Sequence, residues 1–135
     1  MGASAKILVV DDDPDMREAL QMMLESGGYT VVTAEDGEKC LAKLKEEHPD
    51  LLILDLLMPK MDGFEVCKAL KDPRYAKHAR MPIIILSSIQ EGVSQRRYEL
   101  ETGVLLDVDD YVEKPIESSV LLERVGKIFK RTGKE

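Results

Sequence analysis

Lys6-Ile7-Leu8-Val9-Val10-Asp11-Asp12-Asp13-Pro14-Asp15 is the stretch on which the fold of this chain turns. Its first half is a short β-branched apolar run, the pattern of a buried strand, and it stops on four acids interrupted by Pro14. Such a strand delivers its charges to a polar edge. From Pro14 the period changes to that of a helix. Met16, Ala19, Leu20, Met23 and Leu24 take the i, i+3, i+4, i+7, i+8 spacing of one helix face, with proline at the start and Gly27-Gly28 at the stop.

Outward from this unit the alternation repeats. Thr30 to Ala34 reads as a second strand, and Asp36 can cap a helix from about Gly37 to Glu47 that His48-Pro49 terminates. Leu51-Leu52-Ile53-Leu54 is a third strand, apolar on both faces, and again an acid follows, Asp55. Met58 to Gly63 is rich in turn residues and precedes a helix from about Phe64 to Leu70. Pro82 to Leu86 is a fourth two-sided apolar strand ending in Ser87-Ser88. A helix is expected over roughly Gly92 to Thr102 and a short strand near Asp110 to Val112. Lys114-Pro115 then leads into an amphipathic helix with Leu121, Leu122, Val125, Ile128 and Phe129 on one face. Strands apolar throughout, alternating with helices, imply an α/β protein: a parallel sheet, doubly wound, with helices on both faces.

The composition agrees. A chain of 135 residues falls in the range of one domain, so residues 1–135 are expected to form a single unit with flexible ends at 1–5 and 131–135. Hydrophobic residues make up 44% and charged residues 33%, which excludes a disordered or fibrous chain. No apolar run approaches the roughly 18 residues of a membrane span, and the opening residues have no signal-peptide core, so a cytoplasmic location without membrane contact is expected. The Met1-Gly2 start fails as a myristoylation signal because Lys6 stands where Ser or Thr is required. With 19 Lys plus Arg against 26 Asp plus Glu, the formal net charge of −7 disfavours direct nucleic-acid binding and points to a protein or a cation as partner. Cys40 and Cys67 form no CxxC and have no histidine at metal-ligand spacing, which makes them core thiols of a reducing compartment.

In a doubly wound sheet, chemistry gathers at the carboxyl ends of the strands, where the strand order reverses. The first strand brings Asp11 and Asp12 there, the third Asp55, the fourth Ser87, and the loop after the fifth Lys114. Three carboxylates together repel one another unless a cation neutralises them, and hard oxygen donors beside an anion site suit Mg²⁺. A hydroxyl and an ammonium added to that set provide for a phosphoryl group attached to one of the carboxylates.

Four ordered motifs carry a specific likeness. Val9-Val10-Asp11-Asp12, Leu54-Asp55-Leu56-Leu57-Met58-Pro59-Lys60-Met61-Asp62-Gly63, Pro82 through Ser88, and Asp109-Asp110-Tyr111-Val112-Glu113-Lys114-Pro115 resemble the receiver domain of bacterial two-component response regulators, over about residues 6 to 130. The resemblance implies a flavodoxin-like sheet of five parallel strands in the order 2-1-3-4-5 with five helices. It implies that Asp55 accepts a phosphoryl group from a sensor histidine kinase or a histidine phosphotransfer protein. Asp11, Asp12, Asp55 and the backbone carbonyl of Leu57 would hold Mg²⁺, Ser87 would bond a phosphoryl oxygen, Lys114 would pair with the phosphate, and Tyr111 would be an aromatic rotamer switch. The Lys114-Pro115 bond is expected to be cis. Asp13 has no matching role and reads as a solvated surface residue.

The departures from the family pattern are as informative. About four extra residues stand between Gly103 and Asp109, on the face through which receivers usually dimerise or dock, so a homodimer formed on phosphorylation is allowed but its geometry is not transferable. Leu57 and Ile89 occupy places where many relatives carry polar groups that contact the attacking water, which implies a long-lived phosphorylated state. Beyond the last helix, Lys130 to Glu135 fit either a single-domain switch acting on a downstream protein target or a receiver separated from an output domain. An Asp-nucleophile hydrolase of the haloacid-dehalogenase type requires a second Asp where Leu57 stands. An unphosphorylated adaptor is disfavoured because every expected site residue is present.

Overall fold

The computed structural model describes residues 4–56, 58–88 and 108–133. Along the chain these form β1 (Lys6–Val10), α1 (Pro14–Ser26), β2 (Thr30–Ala34), α2 (Gly37–Glu47), β3 (Leu51–Asp55), α3 (Gly63–Ala69), a 3-10 helix (Pro73–His78), β4 (Ile83–Ser87), β5 (Asp110–Glu113) and α4 (Ser118–Thr132). The helix expected at 92–102 and the inserted stretch after Gly103 up to residue 107 lie outside the described residues.

All four ladders are parallel and the order is β2-β1-β3-β4-β5, the flavodoxin-like arrangement. The chain runs outward from β1 to β2, then returns across β1 to β3. The reversal therefore falls between β1 and β3, and their carboxyl ends flank the crevice where such sheets bind ligands. The strand period of two sorts the side chains into two cores. Leu8, Val10, Leu52, Leu54 and Ile85 pack with Cys40 and Leu44 of α2 and Phe64 and Val66 of α3. Ile7, Val9, Ile53, Ile84 and Leu86 pack on the other face with Leu20 and Leu24 of α1 and Leu121, Val125, Ile128 and Phe129 of α4. Every residue of β3 and β4 is buried. In β5, an edge strand, only Val112 is.

Capping aspartates set the starts of α1, α2 and α3. The Asp13 carboxylate accepts from the Asp15 N–H at 2.9 Å and caps α1, so this exposed acid has a structural role that the reading of a solvated residue lacked. Asp36 caps α2 as expected, accepting from the Lys39 N–H at 2.8 Å. Asp62 and Glu65 form a reciprocal capping box on α3. The 3-10 helix was not expected, and α4 continues through Thr132, into the stretch expected to be a flexible end. Cys40 and Cys67 are buried in the same core, and burial pushes the Cys40 thiol up to about 12, which suits packing rather than nucleophilic chemistry. Among the described residues no helix is long and apolar enough to cross a membrane.

Candidate functional site

Asp11 follows β1 and is 1% exposed. Its Oδ1 accepts the Asp13 N–H at 2.9 Å, while its Oδ2 is buried without a hydrogen-bond partner. Arg17 of α1 donates to the Asp11 backbone carbonyl at 2.7 Å and ties the first turns of the helix to the strand end. Asp12, the next residue, is exposed, and Asp55 at the end of β3 is 2% exposed. Asp11, Asp12 and Asp55 each place a carboxylate oxygen within 4.8 Å of the others.

Burial raises the Asp11 carboxyl above the usual carboxylate range. The Asp13 N–H and the Lys114 ammonium act against that rise, and the charges of Asp12 and Asp13 add to it. A buried carboxylate oxygen without a donor, facing two further carboxylates, is the donor set of a hard divalent cation. The residues present therefore fit Mg²⁺.

Lys114 closes the other side. Its Nζ lies 2.8 Å from Asp55 Oδ1 across 59 residues of sequence. Its backbone N–H donates to the Ser87 carbonyl at 2.8 Å, and the Lys114–Pro115 peptide bond is cis, as expected. Ser87 is 8% exposed, and since Leu86 pairs with Asp55, it ends β4 one step beyond the level of that carboxylate. Tyr111 pairs with Ile85 on β5 and keeps 37% of its surface exposed. The structure thus gathers Asp11, Asp12, Asp55 and Lys114, sets Ser87 at the adjoining strand end, and leaves Tyr111 on the edge strand. Leu57 and Ile89 lie outside the described residues.

Two supports of the site escaped sequence reasoning. Gly63 donates to the Leu56 carbonyl at 2.8 Å, and a Cβ there would sit 2.8 Å from the Asp55 carbonyl oxygen and 3.0 Å from Leu56 Cα. Only glycine lets α3 begin so close to the end of β3. The capping box beside it was readable in Asp62-Gly63-Phe64-Glu65. Arg17 had no local signal, because its partner is a backbone carbonyl.

The family model of the response regulator receiver domain matches residues 7–126. The chain belongs to that family. A probable transcriptional regulator ycf27 of Porphyridium aerugineum is 41% identical over 129 residues, which are 96% of this chain and 50% of that protein. The alkaline phosphatase synthesis transcriptional regulatory protein PhoP of Bacillus subtilis (strain 168) is 40% identical over 127 residues, 94% of this chain and 49% of the relative. The chain thus spans about half the length of the curated relatives it matches. Among solved structures, the chemotaxis protein CheY4 of Vibrio cholerae superposes with a TM-score of 0.77 at 30% identity, covering 93% of this chain and 99% of the other. As a receiver domain of two-component systems, the protein carries its acids and its lysine at the strand ends where the fold places its ligand crevice.

Proposed function

We propose that this receiver is a phosphorylation-dependent switch in which Asp55 takes a phosphoryl group from the phosphohistidine of a sensor kinase or a histidine phosphotransfer protein. The juxtaposition of Asp55 with Asp11, Asp12 and the Lys114 ammonium supports the reading. A carboxylate oxygen of Asp55 forms the new bond to phosphorus. The bond from phosphorus to the donor imidazole nitrogen breaks, and that nitrogen keeps the electron pair. Lys114, held beside Asp55, offsets the negative charge gathering on the transferred group. Ser87 donates its hydroxyl to a phosphoryl oxygen. Mg²⁺, held by Asp11, Asp12, Asp55 and the Leu57 carbonyl, would neutralise charge shared by carboxylates and phosphoryl.

The product carries about two additional negative charges next to a sheet edge. Ser87 turns toward the phosphoryl group and Tyr111 leaves its exposed position to fill the space behind, which shifts the population of the surface that partners read. The output is protein binding or control of an attached output domain, in the cytoplasm, with a phosphorylation-dependent homodimer as one form.

The test is intact mass after incubation with acetyl phosphate and Mg²⁺. The wild type gains about 80 Da, one phosphoryl unit, the Asp55→Asn variant gains nothing, and omission of Mg²⁺ suppresses the gain. An equal gain in the variant would refute the assignment.

A further inference from the structure

The chain has two histidines, and both line one cavity at the amino ends of the strands, opposite the aspartates. It lies between the end of α2, which leads into β3, and the 3-10 helix, which leads into β4. Its volume is about 400 Å³ and its polar lining is Lys45, His48, Arg74, Lys77 and His78. Among the described residues that line it none is acidic. The rings of His48 and His78 stack with centroids 5.7 Å apart and planes 21° from parallel, and the Lys45 ammonium lies 5.2 Å from the centroid of Tyr75.

Such a cationic hollow is unexpected on a protein of net charge −7. Helix ends account for part of it, since the α2 carboxyl end carries about half a negative charge and Lys45 alone offsets that. Neighbouring acids account for little more. Glu46 pairs with Lys43 at 3.9 Å and Glu47 with Lys6 at 3.1 Å, and among the described residues only Asp72 pairs with a lining residue, Arg74, at 3.2 Å. Among the described residues no acid pairs with Lys77 or with either imidazole. A transition metal would meet two imidazoles but also the lysines, whereas an oxyanion is matched by a lining whose charged side chains are all cationic. The hollow is open, with Lys45, His48, Arg74 and Lys77 exposed and His78 partly buried, and its volume of about 400 Å³ exceeds what one phosphate needs.

We infer that this cavity binds a di- or polyphosphate anion, free or carried on a nucleotide, at a site separate from the phosphoacceptor. The bound charge would also act on the histidines. His78 is held below the ordinary histidine value by its burial and then by His48 and Lys77. Facing it are Lys45 of α2, His48 just after that helix, and Arg74, Lys77 and the Arg74-paired Asp72 from the 3-10 segment. An anion among these groups stabilises the imidazolium, so binding takes up a proton.

Because no other histidines exist in the chain, imidazole NMR signals report on this cavity alone. Titrating the full chain with pyrophosphate in Mg²⁺-free buffer should move both imidazole signals and raise the titration midpoint of His78. The Lys45→Ala/Lys77→Ala double variant, two exposed positions, should weaken binding by about tenfold or more. Lys127→Ala, an exposed position of α4 that does not line the cavity, should leave it unchanged. ADP binding more tightly than pyrophosphate would mean that the anion is carried on a nucleotide; equal binding would mean the free anion. Imidazole shifts no larger than those from chloride at matched ionic strength, an unmoved His78 midpoint, or full affinity in the double variant would each overturn the inference.

Discussion

Ile53 and Asp55 stand two residues apart on β3, both sealed from solvent, in surroundings that follow opposite rules. Around Ile53 are Ile7, Val9, Ile84 and Leu86, apolar side chains of the two neighbouring strands that gain by leaving water. Around Asp55 are two carboxylates and an ammonium, and one oxygen of Asp11 has no donor at all. The middle of the sheet is built for stability. Its carboxyl edge gives stability up, and the strand end is where both can coexist, because the packed middle holds the unfavourable charges in place.

The largest effect should fall on the packed side. Ile53→Ala is expected to lower unfolding stability by about 2–5 kcal/mol, the range for a buried large-to-small change, while phosphorylation of the folded fraction continues. Denaturant unfolding measures it. A loss below about 1 kcal/mol would mean that the middle is no better packed than the edge.

Gly63→Ala probes the seam between the two regions. The new Cβ would meet backbone atoms of Asp55 and Leu56, which cannot swing aside, so a loss of about 1–3 kcal/mol is expected together with slower phosphorylation. Lost stability at an unchanged phosphorylation rate would uncouple the start of α3 from the site.

Asp11→Asn should act in the opposite direction. Without Mg²⁺ the variant should be more stable than wild type by about 1 kcal/mol, since it removes a buried charge and keeps an acceptor for the Asp13 N–H. Because the Asp11 carboxyl is raised, the folded protein binds more protons than the unfolded chain. Its contribution to stability is therefore lost as pH rises from the ordinary carboxylate range through the raised value, and the variant should lack that decline. Added Mg²⁺ should stabilise wild type and leave the variant unmoved. A less stable variant in metal-free buffer would contradict the comparison.

The smallest effect belongs to the rim. Arg124 pairs with Asp110 at 2.8 Å with both side chains partly exposed, and Arg124→Ala should cost no more than about 1 kcal/mol, less at high salt. A larger loss would place this edge among the structural parts of the molecule.

Much of this was legible in the residues. The strands from Lys6, Thr30, Leu51 and Pro82 and the helices from Pro14 and Gly37 were readable because apolar period and stop residues agree locally. The 3-10 helix was not, because Pro73-Arg74-Tyr75-Ala76-Lys77-His78 has one buried side chain and no period. The Asp13 cap was hidden in a run of acids that pointed to the site. The pairs Arg124–Asp110 and Arg131–Asp109 join residues 14 and 22 apart, beyond any local pattern.

The amino-acid sequence by itself determined which segments are strands and that acids, a hydroxyl and a lysine stand at their ends. The physical reason is that periodicity and capping act between near neighbours. Which strand lies beside which follows from no local pattern; the motifs' resemblance to receivers implied the order, and the tertiary structure realises it by inserting β1 between β2 and β3 so that helices can cover both faces. That order brings Asp11 to Asp55, and Lys114 within 2.8 Å of a carboxylate 59 residues away. It also leaves one oxygen of Asp11 in the dark without a donor, a condition set by the packing around it.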